Sequence, residues 1–294
     1  MKELNTNNFQ VVKPVKLAQI PTRLEIVTSK KENKKSLKKI GSKLSKLQDI
    51  MYAHNRYGVL ICLQGMDTAG KDSLIREVFS KFNPRGCVVH SYKTPTSKEL
   101  QHDYLWRHYV ALPEKGKYSI FNRTHYENVL VTRVNPQYLL YENIPGIEKT
   151  DDVTDKFWEM RFRQIKNFEK HIAMNGIIVF KFFLHLSKEE QRLRLLRRLE
   201  MEKKNWKFSA GDLTERTRWE EYQQCYEEAI NMTSVPHAPW YVIPADDKLT
   251  ARLLVAKIIF ERMSKYTDIV EPQPDDKLME NIENYKEKLR KKDI

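Results

Sequence analysis

The chain of 294 residues is 40% hydrophobic and 31% charged, long enough for one large core or two small ones. Its formal net charge of +13 calls for a polyanionic partner: nucleic acid, a phosphorylated ligand or an anionic membrane surface. No stretch approaches the roughly 20 apolar residues of a membrane span. The opening MKELNTNNFQ lacks the apolar segment of a signal peptide, so a soluble chain is expected.

In chain order, residues 1–30 read as an irregular arm interrupted by Pro14 and Pro21. The lysine-rich stretch 31–55 carries Leu37, Ile40, Leu44, Leu47 and Met51 at helical spacing, which predicts one amphipathic helix. Short apolar runs then alternate with helical patterns. Strands are expected at 58–64, 86–93, 117–122, 176–184 and 239–244. Helices are expected near 71–82, 97–110, 151–174, 187–204, 211–231 and 246–265. The first, fourth and fifth runs are apolar without strict alternation, as in strands buried on both faces of a parallel sheet. This order predicts a doubly wound α/β domain over 31–270, with ligands beyond the C-terminal ends of the strands. Residues 271–294 form a charged tail, expected to be a solvated helix. Cys62, Cys87 and Cys225 show no metal spacing and suit buried thiols in a reducing cytoplasm.

The run VLICLQGMDTAGKDSLIREVF (59–79) places G-x-x-x-x-G-K between a strand and a helix. Gly65 and Gly70 let the backbone turn tightly. The N–H groups of 68–72, through Thr68, Ala69 and Gly70, are expected to converge on phosphate at a helix N-terminus, with Lys71 neutralising a terminal phosphate. Asp72 stands where such loops usually carry Ser or Thr for Mg²⁺, so Asp67 is the candidate metal ligand. Asp72 is either a second such group or an acid suited to a helix start.

The third strand ends in N-R-T-H-Y-E. Asn122 offers a neutral oxygen, Arg123 a planar fork for phosphate, and Glu127 a tentative second carboxylate for the metal. A lid is expected over about 187–210, where Lys188, Arg192, Arg194, Arg197, Arg198, Lys203, Lys204 and Lys207 outnumber four glutamates. His125 is the one candidate base in these motifs, and a structural role suits it better. The set therefore suits phosphoryl transfer between two anionic phosphates, whose oxygens need no base. Two alternatives stay open: an ATP-dependent nucleoside monophosphate kinase, and a non-catalytic nucleic-acid-binding protein, although neither an RNP motif nor a helix-turn-helix is found.

GMDTAGKD (65–72), FNPRG (82–86), ELQHDYLWRHYVALP (99–113), FNRTHYENVLVTRV (121–134), NWKFSAGD (205–212) and APWYVIPADDK (238–248) together closely resemble the polyphosphate kinase 2 family. The resemblance implies a P-loop kinase-like five-stranded sheet with a helical lid. It also implies Mg²⁺-dependent, reversible transfer from inorganic polyphosphate to nucleotides, with Mn²⁺ the other candidate ion. Cytoplasmic homodimers or homotetramers are implied as well. It assigns Asp67 to Mg²⁺, Lys71 and Arg123 to the transferred phosphate, and Arg194, Arg198, Lys204 and Lys207 to the polyphosphate chain. Arg133 joins the phosphate candidates; Lys93, Asn122, Arg123 and Glu127 form the acceptor set. Where many members read F-D-R-S-W-Y, this chain reads F-N-R-T-H-Y. That variant resembles the class III subgroup, which phosphorylates both nucleoside mono- and diphosphates (AMP to ADP, ADP to ATP).

Overall fold

The computed structural model describes residues 5–24, 29–206 and 208–291, with Lys204 described by its backbone alone. Five strands, β1 (Gly58–Gln64), β2 (Cys87–Ser91), β3 (Tyr118–Asn122), β4 (Ile177–His185) and β5 (Trp240–Pro244), form one parallel sheet in the order β2-β3-β1-β4-β5. Eleven α-helices accompany them among the described residues: α1 (Lys30–His54), α2 (Lys71–Val78), α3 (Trp106–Tyr109), α4 (Glu127–Val134), α5 (Asp155–Met174), α6 (Lys188–Glu200), α7 (Glu202–Asn205), α8 (Ala210–Thr217), α9 (Trp219–Thr233), α10 (Lys248–Met263) and α11 (Asp276–Lys291).

Every residue of β1 is buried because helices cover both faces of the sheet. Side chains alternate along the strand, so Val59, Ile61 and Leu63 pack with α1, α2 and α10, while Leu60 and Cys62 face α5 on the other side. The C-terminal ends of β1 and β3 are neighbours, with Leu63 in register with Asn122. The chain crosses from β1 to β2 on one side and from β3 to β4 on the other, so the crevice beside β1 is the switch point of the sheet.

The N-terminal segment runs across the β5 side of the sheet. Val11 N–H donates to the Trp240 carbonyl (2.9 Å), and His185 Nε2 lies 3.1 Å from the carbonyls of both Leu17 and Ile20. A buried polar knot sits against β4: Lys181 donates to Glu169 (2.6 Å), to the Tyr126 hydroxyl (2.9 Å) and to the Thr233 carbonyl (2.8 Å).

Four helix expectations are corrected, the first being 187–204, which divides at the extended Met201 into α6 and α7. Residues 97–110 are broken into a 3₁₀ turn (Glu99–Gln101) and α3, because the Asp103 carboxylate accepts the Leu105 N–H (2.9 Å) and offers the backbone a turn instead of a helix. Residues 211–231 divide at Arg218 into α8 and α9. Helix α4 follows Asn122 almost at once, where only a site motif was expected. Among the described residues no helix is long and apolar enough to cross a membrane.

Candidate active site

The loop between β1 and α2 has the backbone its glycines require. Gly65 has φ +152° and Gly70 φ +108°, and a Cβ on Gly65 would stand 2.9 Å from the Leu184 carbonyl oxygen. Thr68 (φ +64°) and Arg123 (φ +60°) are non-glycine residues in the left-handed region, one on each side of the crevice. No side chain caps the start of α2, so its first N–H groups remain for a ligand. The Ala69 N–H is an exception to the expected convergence, since it donates to the Met66 carbonyl (3.0 Å). Lys71 Nζ folds back onto the Gly65 carbonyl (2.5 Å). Loss of solvation and the nearby Arg123 guanidinium pull its pKa below the usual lysine value.

Across the crevice, Arg123 links two carboxylates. Its guanidinium lies 3.0 Å from Asp67 and 3.6 Å from Glu127. Glu127, the first residue of α4, reaches the crevice through this shared arginine. Asp72 takes a different role from Asp67: its carboxylate accepts the Asn122 amide (2.7 Å) and so ties α2 to the end of β3. That leaves Asn122 Oδ1 shielded from solvent and without a hydrogen-bond partner, as is Thr68 Oγ1. The loop and the end of β3 thus each carry a buried oxygen that lacks a hydrogen-bond partner. Lys93 lies exposed just past the end of β2, on the same side of the sheet.

The stretch expected to form a lid, about 187–210, holds α6, α7 and the start of α8. Arg198 on α6 pairs with Asp212 on α8 (3.2 Å). Asp212 ends the NWKFSAGD motif (205–212), and burial and the negative charge of Asp67 both raise its pKa. Asp212 is thus a third carboxylate close enough to feel the charge of the loop. Gln191 donates to the Asp67 carbonyl (3.2 Å) and accepts from Arg216 (2.7 Å), joining loop, α6 and α8 in one chain of bonds.

Arg194 departs from its expected role on a polyphosphate-facing surface. It is 4% exposed and donates to the carbonyls of Thr68, Ala69, Ala245 and Asp246 and to Glu190. It clamps the loop from beneath, because α6 starts directly behind it. Arg133 is likewise directed elsewhere: it pairs with Glu228 (2.6 Å) and lies over Trp158, nearly two turns along α4 from Glu127. Lys207 lies outside the described residues, as does the side chain of Lys204. His125 is completely buried and hydrogen-bonded to Glu169 (3.2 Å), which places it in the polar knot rather than at the crevice.

Lys248 is a further cation at the site. Its Cε lies 3.8 Å from where a Gly70 Cβ would sit. Loss of solvation, with Arg194 and Arg252 nearby, brings its pKa down to about 8. Positive charge therefore continues past the loop toward the start of α10. The sequence signal was the K that ends APWYVIPADDK.

For a divalent cation the donor set fits a particular style of binding. Among the described residues no group of three His, Cys, Asp or Glu side chains forms a protein-only cage. Asp67 and Glu127 do converge on one guanidinium. Mg²⁺ characteristically takes one or two carboxylates and completes its shell with water and substrate phosphate, which this arrangement permits.

The chain is similar to known proteins over most of its length. The family model described as Polyphosphate kinase 2 matches residues 27–271. An ADP-polyphosphate phosphotransferase of Rhodopseudomonas palustris is 46% identical over 264 residues, which cover 89% of this chain and 90% of the relative. An AMP/ADP-polyphosphate phosphotransferase of Meiothermus ruber is 44% identical over 236 residues, covering 80% of this chain and 82% of the relative. The crystal structure of polyphosphate kinase 2 from Arthrobacter aurescens superposes with a TM-score of 0.83 at 31% identity, covering 91% of each chain. With a glycine loop, an arginine bridging two acids and a family match over 27–271, the chain belongs to the polyphosphate kinase 2 family.

Proposed function

We propose that this enzyme transfers the terminal phosphoryl group of inorganic polyphosphate to nucleoside mono- and diphosphates, AMP to ADP and ADP to ATP, and in reverse. The observation that carries the reading is the position of Arg123 between Asp67 and Glu127, directly across the crevice from Lys71 and the uncapped start of α2. Two phosphate chains meeting end to end concentrate negative charge at one junction. A lysine and an arginine on opposite walls neutralise it from both sides.

In this mechanism the donor's terminal phosphate occupies the loop, and Lys71 leaves the Gly65 carbonyl to hold its oxygens. The acceptor phosphate lies toward β3, where Asn122 Oδ1, Arg123 and Lys93 position it. An ionised oxygen of the acceptor attacks the donor's terminal phosphorus. A new P–O bond forms, the bridging P–O bond of the donor breaks, and its electrons stay on the chain, now one phosphate shorter. No proton moves, in keeping with His125, the candidate base, being buried and bonded to Glu169. Asp67, with Glu127, would hold Mg²⁺ (or Mn²⁺), which supplies charge neutralisation on the bridging and transferred phosphates. Arg198 and Lys248 extend the cationic wall for the rest of the donor, with Lys204 and Lys207 completing the lid. The enzyme acts in the cytoplasm as a homodimer or homotetramer, and the net charge of +13 serves polyphosphate rather than nucleic acid or membrane.

Incubation with AMP or ADP, Mg²⁺ and polyphosphate, without ATP as donor, tests this. New ADP and ATP are expected; a protein that phosphorylates AMP only when ATP is supplied would be a nucleoside monophosphate kinase instead.

A further inference from the structure

Helix α11 (Asp276–Lys291) stands apart from the chemistry, and none of its residues is buried. Yet it is strongly amphipathic. Leu278 (43% exposed), Tyr285 (46%) and Leu289 (68%) share one stripe with Ile282. The spacing 278, 282, 285, 289 is four, three, four, the alternation of d and a positions in a heptad. A solvated helix has no need of such a seam, and 16 residues give about 24 Å of it.

Charge selects the occupant. The first half of the helix region carries Asp275, Asp276, Glu280 and Glu283 against Lys277; the second carries Lys286, Lys288, Arg290 and Lys291 against Glu287. This polarity suits the helix's own dipole, but the apolar stripe does not follow from that. A parallel pair of such helices would set acid beside acid and base beside base. An antiparallel pair sets each acidic half beside a basic one and opposes the two dipoles. The seam is symmetric under that same operation: Leu278 faces Leu289, and Ile282 faces Tyr285, so each d position meets an a position of the other helix.

We propose that α11 is a self-association element that pairs antiparallel with α11 of a second copy of this chain. The pairing joins two protomers, or two preformed dimers, through their C-terminal helices. It leaves each crevice unobstructed, since no residue of α11 belongs to the site.

Cysteine bridging decides orientation and occupant together. Leu278→Cys and Leu289→Cys are made as separate single variants of the full chain, with the unsubstituted protein as control for Cys62, Cys87 and Cys225. Under mild oxidant an equimolar mixture of the two should give a covalent dimer, whereas each alone should not. Residues 278 and 289 of one helix are about 16 Å apart, so a bridge within one chain is excluded. In parallel, Ile282→Lys should halve the mass in solution across a concentration series while leaving helix content and transfer activity unchanged. A bridge in Leu278→Cys alone would mean parallel pairing, and no bridge in the mixture would mean that the stripe is covered by something other than a second α11. Either result, or an unaltered mass in Ile282→Lys, overturns the proposal.

Discussion

Asp67 illustrates how one side chain can serve structure and ligand at once. Its carboxylate is held by Arg123 at 3.0 Å, and its backbone carbonyl by Gln191 at 3.2 Å, so the group is oriented before anything binds. Asp67→Asn keeps the shape and a hydrogen-bonding oxygen for Arg123 but removes the charge that a divalent cation needs. Transfer should fall by about 10²- to 10³-fold, the usual scale for losing one preorganised electrostatic group. Circular dichroism and the melting temperature should barely move. Undiminished turnover at saturating Mg²⁺ would show that the metal is held without Asp67. Arg194 is the opposite case, a basic side chain in a basic helix whose work is internal. Nothing in its local sequence separates it from Arg198 four residues on. The difference comes from the Thr68, Ala69, Ala245 and Asp246 carbonyls, brought together only by the fold.

At the scale of elements, the parts read correctly from sequence are those whose cause is local. The β1 run, the glycine loop and the start of α2 lie within about twenty consecutive residues, and each signal reinforces the next. The region 97–110 had helical periodicity too, and Thr96 and Glu99 cap its first turn, but the Asp103 carboxylate takes the Leu105 N–H and stops it early. Asp212 and Lys248 were missed because each reaches the loop from a different, distant segment. Lys248 occupies the first turn of α10, an unfavourable end for a cation, beside Arg194 and Arg252 and with Glu190 in opposition. With a pKa of about 8 it is charged below that value and loses its proton as pH rises through it. Its pull on a polyanion should weaken in the same interval, so KM for polyphosphate should rise by up to about tenfold between pH 7 and pH 9. Lys248→Arg, which keeps its charge throughout, should flatten that rise, and Lys248→Met should give a high KM at every pH. A Lys248→Arg profile that follows the unsubstituted enzyme would assign the effect to another group.

Across the whole molecule, the five-stranded parallel sheet was legible because its strands are continuous apolar runs separated by helices. The way the chain closes upon itself was not. The N-terminal segment reaches back to bond His185, and Lys181, Glu169, His125 and Tyr126 meet from β4, α5 and the β3–α4 corner. These distant contacts have a common consequence for acid stability. His108, His125 and His185 are buried, and burial lowers the pKa of each below 6.5. Their remaining ring nitrogens, His108 Nε2, His125 Nδ1 and His185 Nδ1, have no partner that would welcome a proton. The unfolded chain takes up those protons near pH 6.5 while the native protein does not, so the unfolded state binds more protons and stability rises with pH across that region. Read downward, the urea midpoint should fall steadily from pH 7.5 to pH 5.5. Glu169, whose pKa is lowered by the charge of Lys181 and by its bond to His125 despite burial, adds loss in the same direction at lower pH. His108→Phe removes one of the three protonation sites while keeping a ring against Tyr92 and Phe121, and should reduce the slope without abolishing the fold. A midpoint that stays level or climbs on acidification would mean that these histidines already carry their protons in the native protein. That would require each unpartnered nitrogen to face water or a carboxylate, and with it a different packing of the β3–α4 corner that presents Arg123 and Glu127 to the crevice.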